Sequence, residues 1–202
     1  IFTSDNGPEV PTILAMRRDF KHDGAAPWRG VKRDNWEGGH RVPFIAYWPN
    51  KIKGGKVSDA LISQTDLMAT FADLVDYNLS NNVAEDSYSF LPEILSVGKS
   101  SKRREYMLQQ AAFGNLSIRQ KAWKYLDHKG SGGNSYSEGG YWGMLPFALL
   151  DSLPDAPAQL YNLDVDPGET RNLYFQNPEI VKELKNKLEE YKITGRSVAL
   201  RK

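Results

Sequence analysis

Cysteine is absent from the 202-residue chain. Disulfides, thiolate metal sites and cysteine nucleophiles are therefore excluded, while the redox compartment stays open. No apolar run approaches the roughly eighteen residues that a membrane-spanning helix needs. An excess of one charge is also missing. The 26 Lys and Arg stand against 25 Asp and Glu, for a formal net charge of +1, which argues against a general nucleic-acid binder. The N-terminus carries no Met, no charged n-region and no signal peptide; it opens directly in an apolar strand. What is present suffices for a core. Hydrophobic residues make up 40% of the chain and aromatics 11%, so global disorder is excluded. The length allows one full domain, or a partial domain with a small companion.

Two stretches carry chemistry. Ile1-Phe2-Thr3 is a short β-prone run that stops at Ser4-Asp5-Asn6-Gly7-Pro8-Glu9, and it reads as a buried strand ending in a loop. Ligands of open α/β sheets gather just beyond the carboxyl ends of strands, where Asp5 and Asn6 fall. A carboxylate beside an amide carbonyl offers hard oxygen ligands, suited to Ca²⁺ or Mg²⁺ rather than Zn²⁺. The same triplet also makes an ordinary turn, so alone it decides nothing. The second stretch runs from Trp28-Arg29-Gly30-Val31-Lys32-Arg33-Asp34-Asn35-Trp36 through Glu37-Gly38-Gly39-His40-Arg41 to the apolar segment Val42–Trp48, which includes Pro43. It is a glycine-punctuated basic loop that leads into a strand, one apolar enough to be covered on both faces.

Together the two stretches resemble the formylglycine-dependent, arylsulfatase-like sulfatases. That family carries Asp-Asn-Gly after a central strand, then a Lys a couple of dozen residues on, then Glu-Gly-Gly-x-Arg-x-Pro. The resemblance is clear over residues 1–75 and looser beyond. It implies an α/β fold: residues 1–100 as the C-terminal part of an alkaline-phosphatase-like catalytic domain, and residues 101–202 as a small α+β subdomain. It also implies that the chain is the C-terminal part of a longer protein and needs the missing N-terminal part of that protein as its partner. The family nucleophile, a formylglycine, arises in a Cys-or-Ser-x-Pro-x-Arg motif far upstream. No such motif occurs here, since Ser152-Leu153-Pro154-Asp155 lacks the Arg. The chain alone is thus expected to be inactive.

Further along, the pattern predicts a short helix or irregular segment over Val10–Phe20 and a loop over Lys21–Pro27. The best helix begins after Gln64, capped by Thr65 or Ser63, with Leu67, Phe71, Leu74 and Val75 as its core stripe. Gly98–Arg104, with four basic residues in the last six, reads as a solvated linker. Tyr106–Gln110, Leu116–Arg119, Trp123–Leu126 and Gln159–Leu163 are short, closely spaced strands of an antiparallel sheet. Asp164–Glu169 is a turn. A final helix spans Pro178–Tyr191, capped by Asn177, with Ile180, Val181, Leu184 and Leu188 as its stripe.

By resemblance, Asp5 and Asn6 join two upstream acidic residues around one divalent cation, Ca²⁺ more than Mg²⁺, and Lys32 is the catalytic, sulfate-binding Lys. His22 and His128 are candidate substrate contacts. His40 reads as packed, Arg41 as a hydrogen-bonded tie, Glu37 as a group that could orient Lys32 or a loop amide, and the glycines as a tight entry to the next strand. The family reaction, in which a formylglycine hydrate attacks sulfur and the alcohol then leaves, makes the chain part of a sulfuric ester hydrolase. Its partner is a sulfated small molecule or glycan, and the tyrosines and tryptophan of Gly130–Trp142 are the expected specificity segment. A periplasmic or secreted location follows from the resemblance only. The alternatives are a related phosphomonoester or phosphonate hydrolase, or an inactive, sulfoglycan-binding remnant.

Overall fold

The computed structural model describes residues 1–95, 104–137, 144 and 147–201. The elements run β1 (Phe2–Thr3), α1 (Val10–Phe20), α2 (Glu37–His40), β2 (Phe44–Ile45), α3 (Asp66–Leu74), α4 (Leu91–Leu95), β3 (Tyr106–Gln110), β4 (Leu116–Gln120), β5 (Trp123–Leu126), β6 (Gln159–Asn162) and α5 (Pro178–Thr194). They fall into two compact units, each discontinuous in sequence. One comprises Ile1–Thr3, Phe44–Met107 and Lys187–Lys202; the other comprises Ser4–Pro43 and Leu108–Asn186. Compactness thus groups residues differently from the chain-order division at residue 100.

In the first unit β1 pairs antiparallel with β2, Phe2 opposite Ile45 and Thr3 opposite Phe44. The expected buried strand at residues 1–3 and the doubly covered strand over 42–48 are both corrected. Each is a two-residue strand, and Phe2 and Ile45 are 64% and 58% exposed. β-prone residues suit a pleated surface, but two short strands cover neither of its faces.

Helix α3 brings two further corrections. Thr65 precedes it without a side-chain cap bond, and the buried positions are Asp66, Ala69, Thr70 and Ala72. The Phe71 and Val75 side of the expected core stripe is exposed. The polar face packs because it is bonded: Ser87 Oγ accepts the Ala69 N–H at 2.8 Å, and Thr70 Oγ1 accepts the Phe90 N–H at 3.1 Å. Asp66 itself accepts N–H groups from Ser63 at 2.8 Å and Tyr88 at 2.9 Å and is clasped by both arms of Arg104. Arg104, read as the end of a solvated linker, is a buried counter-ion; the rest of that linker lies outside the described residues.

The four-stranded antiparallel sheet has the order β3-β4-β5-β6. Strand bounds match the sequence reading to within a residue, because short alternating runs separated by turns leave few other pairings. Ile118 sits opposite Tyr125, and Tyr125 opposite Leu160. Two buried clusters belong to the second unit: Val10, Ile13, Ala25, Val31 and Met144, and Trp36, Leu126, Tyr161 and Leu163, with Tyr136 packed on both. Helix α5 starts at Pro178 and buries Val181, Leu184 and Leu188, as its spacing predicts. No helix among the described residues is long and apolar enough to cross a membrane.

Candidate active site

Asp5 and Asn6 follow β1 in the chain and lead to Gly7, a buried glycine pressed on a second glycine pair. The Gly7 N–H donates to the Gly39 carbonyl at 2.9 Å. A Cβ on Gly7 would lie 1.8 Å from the Gly38 carbonyl oxygen, so only glycine lets these two backbones meet. Gly38 and Gly39 were expected to form a tight entry to the next strand, and the structure corrects this. They sit inside the single helical turn α2, where a Cβ would strike the carbonyls of Gly30 at 2.3 Å and Asp34 at 2.2 Å. The glycines therefore exist for close packing of three loop segments.

Lys32 is tied to the same loop. Its N–H donates to the Pro8 carbonyl at 3.0 Å, and its Nζ lies 3.2 Å from Glu9 Oε2. Arg33 shares that carboxylate through bonds of 2.5 and 3.1 Å. The Arg33 guanidinium beside Glu9 holds the carboxyl down to about 2, so Glu9 stays ionised and holds both cations at the start of α1. Glu9 also caps α1 by accepting the Val10 N–H. Sequence reasoning missed this residue's role, and its partner is Lys32, where Glu37 had been the expected one.

Glu37 is instead the centre of a buried charge network. Its Oε1 accepts from Lys124 Nζ at 2.9 Å, and its Oε2 accepts from Arg41 Nε and Arg119 Nη1, both at 2.9 Å. Its N–H donates to Glu169 Oε2 at 2.6 Å, and Glu169 Oε1 lies 3.5 Å from Lys124 Nζ. Lys124 and Glu169 are fully buried. Burial favours the neutral acid at Glu37, but Lys124 and Arg119 outweigh it and hold the carboxyl at about 2. Glu169 has fewer partners, so burial raises it to about 7. Arg41 ties the turn down, as expected, and its guanidinium also stands 4.9 Å from the Trp28 ring. A lone Lys inside the apolar strand Trp123–Leu126 is the one sequence signal that could have marked Lys124. Glu169 was hidden in an ordinary-looking turn.

The histidines differ among themselves. His40 is packed, as read, and burial lowers it to about 4. His22 is exposed in its loop, with its backbone N–H donated to the Met16 carbonyl at 3.3 Å. His128 has both ring nitrogens engaged: Nε2 accepts from Asn35 Nδ2 at 3.0 Å, and Nδ1 donates to the Lys129 carbonyl at 3.0 Å. One tautomer satisfies both bonds, so His128 acts as a tie on the Lys32 loop. Tyr136, expected on a sugar-binding loop, donates its hydroxyl to Asp34 at 2.5 Å and stacks edge-on against Trp36. Tyr141 and Trp142 lie outside the described residues. Arg29 lies 3.7 Å over the Trp36 ring and donates to the Glu169 carbonyl, completing a closed frame around the Lys32 loop.

The family model described as Sulfatase matches residues 1–77. An N-acetylgalactosamine-6-O-sulfatase of Bacteroides thetaiotaomicron is 36% identical over 195 residues, a match that takes in 95% of this chain and 36% of that protein. The chain belongs to the sulfatase family. Human arylsulfatase A is 32% identical over 194 residues, covering 92% of this chain and 36% of the relative. A solved Bacteroides thetaiotaomicron structure, described under the metabolism of multiple glycosaminoglycans, superposes with a TM-score of 0.77 at 35% identity, over 95% of this chain and 38% of that one. A sulfatase structure from Pseudoalteromonas sp. gives a TM-score of 0.68 at 25% identity, over 98% of this chain and 38% of that one. The chain thus spans about a third of the length of the sulfatases it matches, 36% for the two curated relatives described. These matches favour the sulfatase reading over the phosphohydrolase alternative.

Proposed function

We propose that the chain forms part of a sulfuric ester hydrolase, with Lys32 binding and stabilising the sulfate group beside a divalent cation held in part by Asp5 and Asn6. The observation that carries this is the joining of Lys32 to the Asp5-Asn6-Gly7 loop in a member of the sulfatase family, through Pro8 and Glu9. The donor set fits a hard cation. Asp5 offers a carboxylate, and Asn6 spends its Nδ2 on the Gly7 carbonyl at 2.9 Å, which turns its Oδ1 the other way. Ca²⁺ takes about six to eight oxygens, and among the described residues no group of three or more His, Cys, Asp or Glu could hold a metal. Further ligands, and the formylglycine nucleophile, would therefore come from outside these residues. A cation bound there would supply Lewis-acid neutralisation of sulfate oxygens.

The chain's own residues do the following. Lys32 presents a mobile ammonium that stabilises charge developing on the ester oxygen. Glu9 restrains that ammonium and offsets the charge of Arg33. His22 and His128 are further candidate substrate contacts, and His22 is exposed enough to take part in proton transfer to a leaving group. The 36% identity to an N-acetylgalactosamine-6-O-sulfatase makes 6-O-sulfated N-acetylgalactosamine the first substrate to test. A periplasmic or secreted location fits this class of substrate.

The test is hydrolysis of that sugar and of a chromogenic aryl sulfate by the full-length protein, with bound Ca²⁺ measured per chain. Asp5→Ala should lose both metal and activity. Lys32→Ala should keep the metal and lose turnover by about a hundredfold or more. An Asp5→Ala protein that retained its metal and its turnover would refute the assignment.

A further inference from the structure

The chain has a buried charge cluster on the sheet side of the Glu-Gly-Gly turn that no step described so far uses. Lys124 on β5 and Glu169, in the turn after β6, grip Glu37 from two directions. Lys124 Nζ holds the carboxylate at 2.9 Å, and Glu169 Oε2 takes the Glu37 N–H at 2.6 Å. Glu169 adopts a left-handed backbone, φ 50°, which a non-glycine residue reaches at a cost. That conformation places its carboxylate, fully buried, on the first N–H of α2. The same turn is pinned from above, because the Glu169 carbonyl accepts from Arg29 Nη1 at 2.9 Å and the Arg29 carbonyl accepts the Gly38 N–H at 2.7 Å.

What α2 holds in turn is the loop of the proposed metal pair. Gly39 accepts the Gly7 N–H, and the Gly7 backbone touches the Gly38 carbonyl with no room for one extra carbon. Pro8, the next residue, accepts the Lys32 N–H. A rotation or slide of α2 would therefore move Asp5-Asn6 and the Lys32 backbone together, because glycine-on-glycine packing transmits displacement without side-chain slack.

We infer that Lys124 and Glu169 are positioning residues of the reaction: they clamp Glu37, and through the Gly38–Gly39 turn they set the Asp5-Asn6-Gly7 loop and Lys32 in register. The inference rests on the functional reading given above. The network is more than a fold-stabilising pair, since two carboxylates converge on one Lys at a site where a single ion pair would hold the sheet. Glu169 takes a backbone N–H of the turn itself.

The experiment uses the full-length protein and the variants Lys124→Met, Glu169→Ala and Glu169→Gln, each checked for folding by its circular dichroism melt. Two quantities are read: hydrogen exchange of the Gly7 amide, on a peptide covering residues 4–9, and kcat and KM for a chromogenic aryl sulfate. Lys124→Met and Glu169→Ala should speed Gly7 exchange by about tenfold or more, leave the amides of β4 and β5 unchanged, and lower kcat with little change in KM. Glu169→Gln keeps an acceptor for the Glu37 N–H and should restore most of both. If Lys124→Met fails to fold, the two Glu169 variants decide alone. Unchanged Gly7 exchange in folded Glu169→Ala overturns the inference, as does faster exchange spread equally over β4 and β5. Faster Gly7 exchange with unaltered turnover overturns it as well. A wild-type protein inactive on every sulfate ester sinks the functional reading instead, and the exchange arm still decides whether the clamp sets the loop.

Discussion

Each compact unit is built on a buried carboxylate at the first residue of a helix, Asp66 on α3 and Glu37 on α2, and the two are satisfied in different ways. Asp66 collects two backbone N–H groups and one bidentate Arg, all from residues 63–104. Glu37 collects no backbone donor among its described bonds. It is held by three side-chain cations, two of them more than eighty positions away, and shares one with a second buried carboxylate. The first is a local clasp that fixes one helix to its neighbouring loops. The second is a long-range network, rich in charge and poor in backbone donors, and it stands under the loops that carry Asp5, Asn6 and Lys32. The difference shows where chemistry can be coupled to charge: networks built from side chains respond to protonation and substitution, whereas a carboxylate saturated by N–H groups mainly holds structure.

The largest expected effect tests the local clasp. Arg104→Met leaves Asp66 buried without its cation and should cost roughly 3–5 kcal/mol of stability in urea unfolding. Adding Asp66→Asn should recover part of the loss. A cost below about 1 kcal/mol would return Arg104 to the solvated linker of the sequence reading and erase the comparison.

Next comes the backbone junction under the network. Gly7→Ala places a Cβ 1.8 Å from the Gly38 oxygen, with backbone on both sides. It should cost about 1–3 kcal/mol from overpacking and raise the KM or lower the kcat of the full-length protein. A Gly7→Ala protein with wild-type stability and turnover would show that the loops are not in rigid contact.

The pH dependence sharpens the contrast further. Glu169 titrates at about 7 when folded against an ordinary 4.5. It binds its proton more tightly in the folded state, so its contribution is full below about pH 4.5 and is lost as the pH rises through about 7. Glu37, held at about 2, acts in the opposite sense and in another window: its contribution is present above about 4.5 and lost as the pH falls towards 2. Between pH 4.5 and 7 the Glu169 contribution should therefore fall with rising pH, on the order of 1–3 kcal/mol, against a rise from His40, whose buried ring titrates at about 4 when folded against an ordinary 6.5. Glu169→Gln removes the falling part, so stability of the variant should rise more with pH across this window than that of the wild type. Equal slopes in the two proteins would assign the pH dependence to other groups.

The smallest effect is a control for both carboxylates. The Lys192–Glu189 pair on α5 is close, at 2.7 Å, yet both side chains are substantially exposed. Lys192→Ala should change stability by no more than about 0.5 kcal/mol. A larger change would mean that depth of burial is not what separates the strong pairs from the weak ones.

The sequence by itself determined the sheet, the last helix and the two chemical stretches. Strands β3 to β6 and α5 are marked by local pattern, period two between turns and period 3.6 after a proline, and such patterns need no knowledge of partners. Asp5, Asn6 and Lys32 could be singled out because each stands in a short local motif, Asp5-Asn6-Gly7 and the stretch from Lys32 to Pro43. The tertiary structure alone decided what those patterns face. The Leu67–Val75 stripe is periodic, yet α3 buries its opposite side, because Ser87 and Phe90 bond the polar face and periodicity does not say what covers an apolar one. Phe2 and Ile45 read as interior residues and stand exposed for the same reason. Glu37, Lys124 and Glu169 lie 45 to 132 positions apart, so no window of sequence contains them. Only folding makes them neighbours, because a buried charge must find its counter-ion wherever the backbone brings one.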